Sequence, residues 1–138
     1  MPPYRRTLSI TGLALAVVAG LALAAPTSAD VGDTPSTQSV AVGAQPNAVT
    51  FDDSTAWTAD FGADQVTPVV AGVAGTPIAT GDGPFGLATN PVSAALYVTN
   101  YLEGTLSVVD RASGQETSRI DVGNFPSGVA VSPDGSRV

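Results

Sequence analysis

Cysteine, histidine and lysine are all missing from this 138-residue chain. Without cysteine there is no disulfide framework, no thiolate metal site and no lipobox. Without histidine the commonest general base and the commonest zinc ligand are gone, and without lysine the usual Schiff-base amine is gone too. Positive charge is scarce: five arginines stand against twelve acids, a net charge of −7. Two of the arginines, Arg5 and Arg6, fall in the first ten residues, so residues 30–138 hold three arginines and all twelve acids, or −9. Such a surface repels phosphate backbones and anionic lipid, which argues against a nucleic-acid partner. What the chain does have is 15 glycines and 11 prolines among many valines, threonines and alanines. That composition favours short strands and turns, within a length that allows at most one domain.

The N-terminus reads as an address. Arg5 and Arg6 precede the apolar run LALAVVAGLALAA, Leu13 to Ala25, and PTSAD follows, with small residues at Thr27 and Ala29. A charged region, an apolar region of this length and small residues before the break describe a secretory signal peptide over residues 1–29, cleaved after Ala29. Thirteen apolar residues fall short of the roughly 20 that a membrane span needs. After cleavage the expected location is secreted or otherwise extracytoplasmic, with no membrane association. Arg5-Arg6 hints at twin-arginine export, although Ser9 stands where such signals prefer an apolar residue.

Residues 30–39, DVGDTPSTQS, are polar and without periodicity, and read as a flexible lead-in. From Val40 the chain repeats itself. GAQP at Gly43–Pro46, GDGP at Gly81–Pro84 and GNFP at Gly123–Pro126 place their prolines 38 and then 42 residues apart. AWTADFGADQVTPVV, Ala56–Val70, aligns with LYVTNYLEGTLSVVD, Leu96–Asp110, at an offset of 40. Trp57 then matches Tyr97, Asp60 matches Asn100 and Phe61 matches Tyr101. Self-similarity near forty residues marks a repeat architecture.

Each full repeat holds four strand candidates, at about 47–51, 55–60, 65–71 and 75–80, and again at about 85–89, 95–100, 105–110 and 116–121. The turns between them have physical causes. In PDG, Pro133–Gly135, proline fixes φ, aspartate bonds its own backbone and glycine accepts positive φ; Glu103-Gly104 and Ala112–Gly114 act alike. Four short strands in about forty residues describe a β-propeller blade, joined to the next by the G-x-x-P loop. LYVTN, TLSVVD, IDVG and PSGVAVSPDGSRV resemble the YVTN-type propeller repeat, a relative of the lactonase-like seven-bladed propellers. The resemblance covers Val40 to Val138; it is degenerate in the first repeat, where AWTAD replaces LYVTN and Val70 takes the place of Asp110.

The expected fold is therefore all-β: an incomplete β-propeller of about two and a half four-stranded blades after a signal peptide. The partial propeller spans 40–138, with blades at about 47–80 and 85–121 and a third, cut short, at 127–138. An outer-type strand at about 37–42 would fit as the closing strand of a last blade, and an inner strand is expected at 127–131. Two blades leave one face bare on each side, so the remaining blades are expected in a longer chain.

Candidate sites are few. GDGPFG, Gly81 to Gly86, satisfies G-x-G-x-x-G, but a strand follows it where a dinucleotide site needs a helix, so it reads as an interblade turn. Replacing Gly83 by alanine is expected to affect folding only modestly, and Gly81 to matter more through positive φ, since all three loops keep the first glycine. Asp52, Asp53, Asp60 and Asp64 resemble a calcium cluster in composition but occupy turns and strand ends without EF-hand spacing. Asn100 and Asp110 end strands and serve turns. Trp57, Tyr97 and Tyr101 fit packing between blades or a polar handle at the rim more readily than a sugar platform. No residue takes a catalytic, cofactor-binding or metal-ligating role, and no cofactor is expected. Two functions remain: a secreted propeller serving as a binding or surface-interaction scaffold for a protein or carbohydrate ligand, or an extracytoplasmic lactonase-like hydrolase. The second follows only from the resemblance, and its active groups would come from blades outside this chain.

Overall fold

The structure, a computed structural model, describes residues 38–138; the expected signal peptide, 1–29, and residues 30–37 of the lead-in lie outside the described residues. All regular elements among them are strands. The first sheet contains β1 (Pro46–Asp52), β2 (Thr55–Asp60), β3 (Gln65–Val70), β4 (Val73–Ala74) and β5 (Ile78–Ala79). It is an antiparallel meander in which β4 and β5 both pair with the free side of β3. The second sheet contains β6 (Pro84–Thr89), β7 (Ala95–Asn100), β8 (Thr105–Asp110) and β9 (Gln115–Asp121), in that spatial order. Each sheet is one blade, and β6 packs against β1 and β2 of its predecessor.

The change in period from 38 to 42 residues has two sources. Two residues, Asp53 and Ser54, join β1 to β2, whereas Asn90–Ala94 join β6 to β7. Likewise Ala71 and Gly72 join β3 to β4, whereas Arg111–Gly114 join β8 to β9. Between these turns, β2 and β7, and β3 and β8, keep the offset of 40. Length variation is confined to loops at one rim, where added chain disturbs no ladder.

Two irregularities recur at equivalent places. The innermost strands bulge where Pro46 pairs with Asp60 and Ala48 with Ala59, and where Pro84 pairs with Asn100 and Gly86 with Thr99. The extra residues are Asn47 and Phe85. A second bulge sets Val108 opposite Ser118 and Val109 opposite Glu116, leaving Thr117 over; blade one shows the same offset around Gly75.

The core lies between the blades rather than within either. Strand side chains alternate between faces. Blade one sends Trp57, Ala59, Val66 and Ile78 into the junction, and blade two answers with Leu96, Val98 and Val109, backed by Leu87. The opposite face of blade one is bare, with Val49 57% and Phe51 69% exposed. The far side of blade two exposes Ile120 and Val122.

Three expectations need correction. The fourth strand of blade one, expected unbroken over 75–80, is split into β4 and β5 around Gly75-Thr76-Pro77. Residues 38–42 are not a strand, and neither are 127–131. A strand exists only by pairing, and neither segment has a neighbouring strand in the described chain. Segment 127–131 still lies where an inner strand belongs, since the Thr99 hydroxyl donates to the Ser127 carbonyl at 3.3 Å. The SPDGSR turn beyond it also forms, with the Ser132 amide donating to the Arg137 carbonyl at 2.9 Å.

Candidate functional site

The G-x-x-P loops and the β2–β3 and β7–β8 turns share one rim. The first two loops each dock on the turn of the blade they enter. The Phe61 and Gly62 amides donate to the Gln45 and Ala44 carbonyls at 3.1 and 2.9 Å, and the Tyr101 and Leu102 amides donate to Gly83 and Asp82 at 2.8 and 3.2 Å. The two docked loops have a left-handed backbone at their third position, φ 51° at Gln45 and 64° at Gly83, and Phe125 of the third loop shares it at φ 55°. The expectation for the glycines is thus reversed. Positive φ belongs to Gly83, not Gly81, and only the middle loop fills that position with the residue that bears it without strain. Gly81 and Gly43 are instead required by close approach. A Cβ on Gly43 would sit 2.6 Å from Asp60 Oδ2, and one on Gly81 would meet Asn100 and Glu103. The Gly83 amide donates to the Asp64 carboxylate at 2.8 Å, so GDGPFG is tied into the joint between blades and leads into strand β6.

Beneath this rim each blade has a fully buried polar node. In blade one Asp60 accepts from the Gly43 amide (3.0 Å), the Thr67 hydroxyl (2.5 Å) and the Gln65 amide (3.2 Å) through Oδ2, and from the Thr58 hydroxyl (2.8 Å) through Oδ1. A carboxylate without a cation nearby is satisfied here by four donors. In blade two Asn100 donates to Thr105 and Ser107, each at 2.8 Å, while its Oδ1 is buried without a partner. Valine at position 98 explains this orphan, since the hydroxyl of Thr58 has no counterpart there. Asn100 therefore holds its blade from within; only its backbone carbonyl serves the turn, accepting from Gly104 at 2.9 Å.

The aromatic residues run along the same rim. Phe61 meets Phe85 edge-on with centroids 6.4 Å apart, Phe85 and Tyr101 lie 5.4 Å apart, and Tyr101 and Phe125 5.1 Å apart. The bulge at Phe85 turns its side chain into this row, which crosses both blade junctions. The ring faces are spent on one another rather than offered to solvent, in keeping with packing between blades. Trp57 is buried in the junction, its Nε1 donating to Asp52 at 3.2 Å, and Tyr97 is half-buried on β7.

The four aspartates that resemble a calcium cluster in composition are dispersed. Asp52 pairs with Arg111 of the next blade, Asp53 sits in the β1–β2 turn at φ 34°, and Asp60 and Asp64 hold the loops described above. Among the described residues no three His, Cys, Asp or Glu side chains gather closely enough to hold a metal. Asp110 serves its turn as expected, accepting from the Ala112 amide at 3.0 Å and the Ser113 hydroxyl at 2.9 Å. Those two bonds, the backbone one first, hold its pKa below the ordinary carboxylate value.

Sequence reasoning missed the arginines. Besides Asp52, Arg111 bonds the carbonyls of Asn90, Ser93 and Ala94, clasping the β6–β7 turn to the preceding blade. Burial pulls its pKa below the usual arginine value. Arg119 bonds Glu116 at 2.7 Å and Glu103 at 3.0 Å. The bond to Glu116 and a further one to Glu103 outweigh partial burial and raise its pKa. Burial pushes Glu116 upward, but its bonds from Arg119 and Ser107 prevail and leave it low. Contacts between residues as far apart as Asp52 and Arg111 leave no local signal in a sequence. Both arginines are thus committed to carboxylates. One open surface groove, about 300 Å³, lies beside Ala95, Val108 and Thr117 and brings no acid and base together.

Two four-stranded antiparallel meanders, packed face to face and joined outer strand to inner strand, define a β-propeller. Solved structures agree. Over 75% of this chain and 31% of its own, hydrazine synthase of Kuenenia stuttgartiensis superposes with a TM-score of 0.65 at 33% identity. AztD of Citrobacter koseri superposes over 73% of this chain and 30% of its own, with a TM-score of 0.61 at 17% identity. Both are β-propeller proteins. No family model matches the chain. Among curated proteins, the PE-PGRS family protein PE_PGRS18 of Mycobacterium tuberculosis is 50% identical over 50 residues. That stretch is 36% of this chain and 11% of the relative, so the chain spans about a tenth of the curated relative and about a third of each solved structure.

Proposed function

We propose that this chain contributes YVTN-type blades to an exported β-propeller that acts as a binding or surface-interaction scaffold, with the loop rim as its contact surface. The rigidity of that rim carries the reading. The first two loops are pinned to the turns beside them, so the exposed tips Ala44, Asp82 and Leu102 project from fixed positions. A preorganised surface loses little conformational entropy when a protein or carbohydrate ligand binds. Further blades would cover the bare faces at Val49 and Phe51 and at Ile120 and Val122. The signal-peptide reading of residues 1–29 supports export. The committed state of Arg111 and Arg119 disfavours the lactonase-like alternative within these blades.

The test uses protein recovered from the culture medium, starting at or near Asp30. Binding is measured against a panel of defined glycans and extracellular matrix proteins, and hydrolysis against a panel of lactones. The expected result is saturable binding that Leu102→Asp abolishes and Ser113→Arg, at the opposite rim, leaves intact. Lactone hydrolysis without rim-dependent binding overturns the scaffold reading, and retention of Met1 in membranes overturns export.

A further inference from the structure

We draw no further inference here: the strongest candidate, the aromatic row Phe61, Phe85, Tyr101 and Phe125 along the loop rim, spends its ring faces on one another at the blade junctions, and nothing in the structure shows what covers its open end at Phe125.

Discussion

Blade one and blade two match almost position for position over their second and third strands and diverge at the fourth. In blade two, β9 runs unbroken through seven residues; in blade one the same stretch is divided between β4 and β5. Both carry the same bulge against the third strand, so the bulge is not what breaks it. Proline is. Pro68 stands where Val108 pairs with Ser118, so the ladder loses an N–H donor there, and Pro77, at the place of Arg119, fixes φ at a position whose N–H points away from β3. The fold tolerates this because little of its core is there. Ile78 reaches the junction from β5, while Trp57 and Val66, with Leu96, Val98 and Val109 opposite, all come from second and third strands. Variation collects where burial is least.

The polar nodes differ in the same instructive way. Asp60 is satisfied by four donors, one of them the Gly43 amide from the incoming loop. Asn100 makes two bonds and leaves one oxygen orphaned. Blade one therefore relies on its node to hold the entering chain, and blade two leans on its ion pairs instead.

The largest expected effect separates the two faces of blade one. Trp57→Ala removes a buried ring from the junction and should cost about 3–5 kcal/mol. Phe51→Ala, on the bare face, should stay within about 0.5 kcal/mol. Denaturant melts of the two variants make the comparison, and equal losses would mean that the junction is not the core. Next come the nodes. Asp60→Ala takes the acceptor from four donors, of which Thr58 and Gln65 keep a second one on Thr67, and should cost about 3 kcal/mol, whereas Asn100→Ala, which also removes the orphan, should cost about 1 kcal/mol. Equal costs would erase the difference drawn between the blades. A smaller effect is due at Gly83, where alanine must accept φ 64° and crowd Leu102 and Phe61. Gly83→Ala should lose about 1–2 kcal/mol, measured the same way.

The smallest effect is local and depends on pH. Bonds from the Ser132 hydroxyl, and then from the Ser136 amide and hydroxyl, lower Asp134 to a pKa of about 2. Its folded value lies below the ordinary 3.8, so its contribution is present in full above about pH 4 and disappears as pH falls toward 2. The Ser132 and Ser136 amide resonances should shift together across that window. A midpoint near 4 would show that the SPDG turn holds its aspartate no more tightly than an unfolded chain.

Much of this was legible before the structure. β2, β7 and β8 coincide with their expected spans because turn residues stop the strand at both ends, as Glu103-Gly104 does between β7 and β8. The repeat told where each loop falls. It could not tell that Gln45 adopts a glycine-like backbone, because that requirement comes from docking against a turn sixteen residues later. The burial of Asp60 and Asn100 was hidden for the same reason: both look like turn residues until the loop closes over them. The split between β4 and β5 needed the register against β3, where Pro68 and Pro77 fall nearly opposite each other.

The stability of these blades resides in their shared junction. Hydrogen exchange compared between the native chain and Trp57→Ala tests it most directly. Amides of β7 and β8, in the other blade, should lose protection together with those of β2 and β3. If β7 and β8 keep their full protection while β2 and β3 open, each blade is its own folding unit and the claim is wrong.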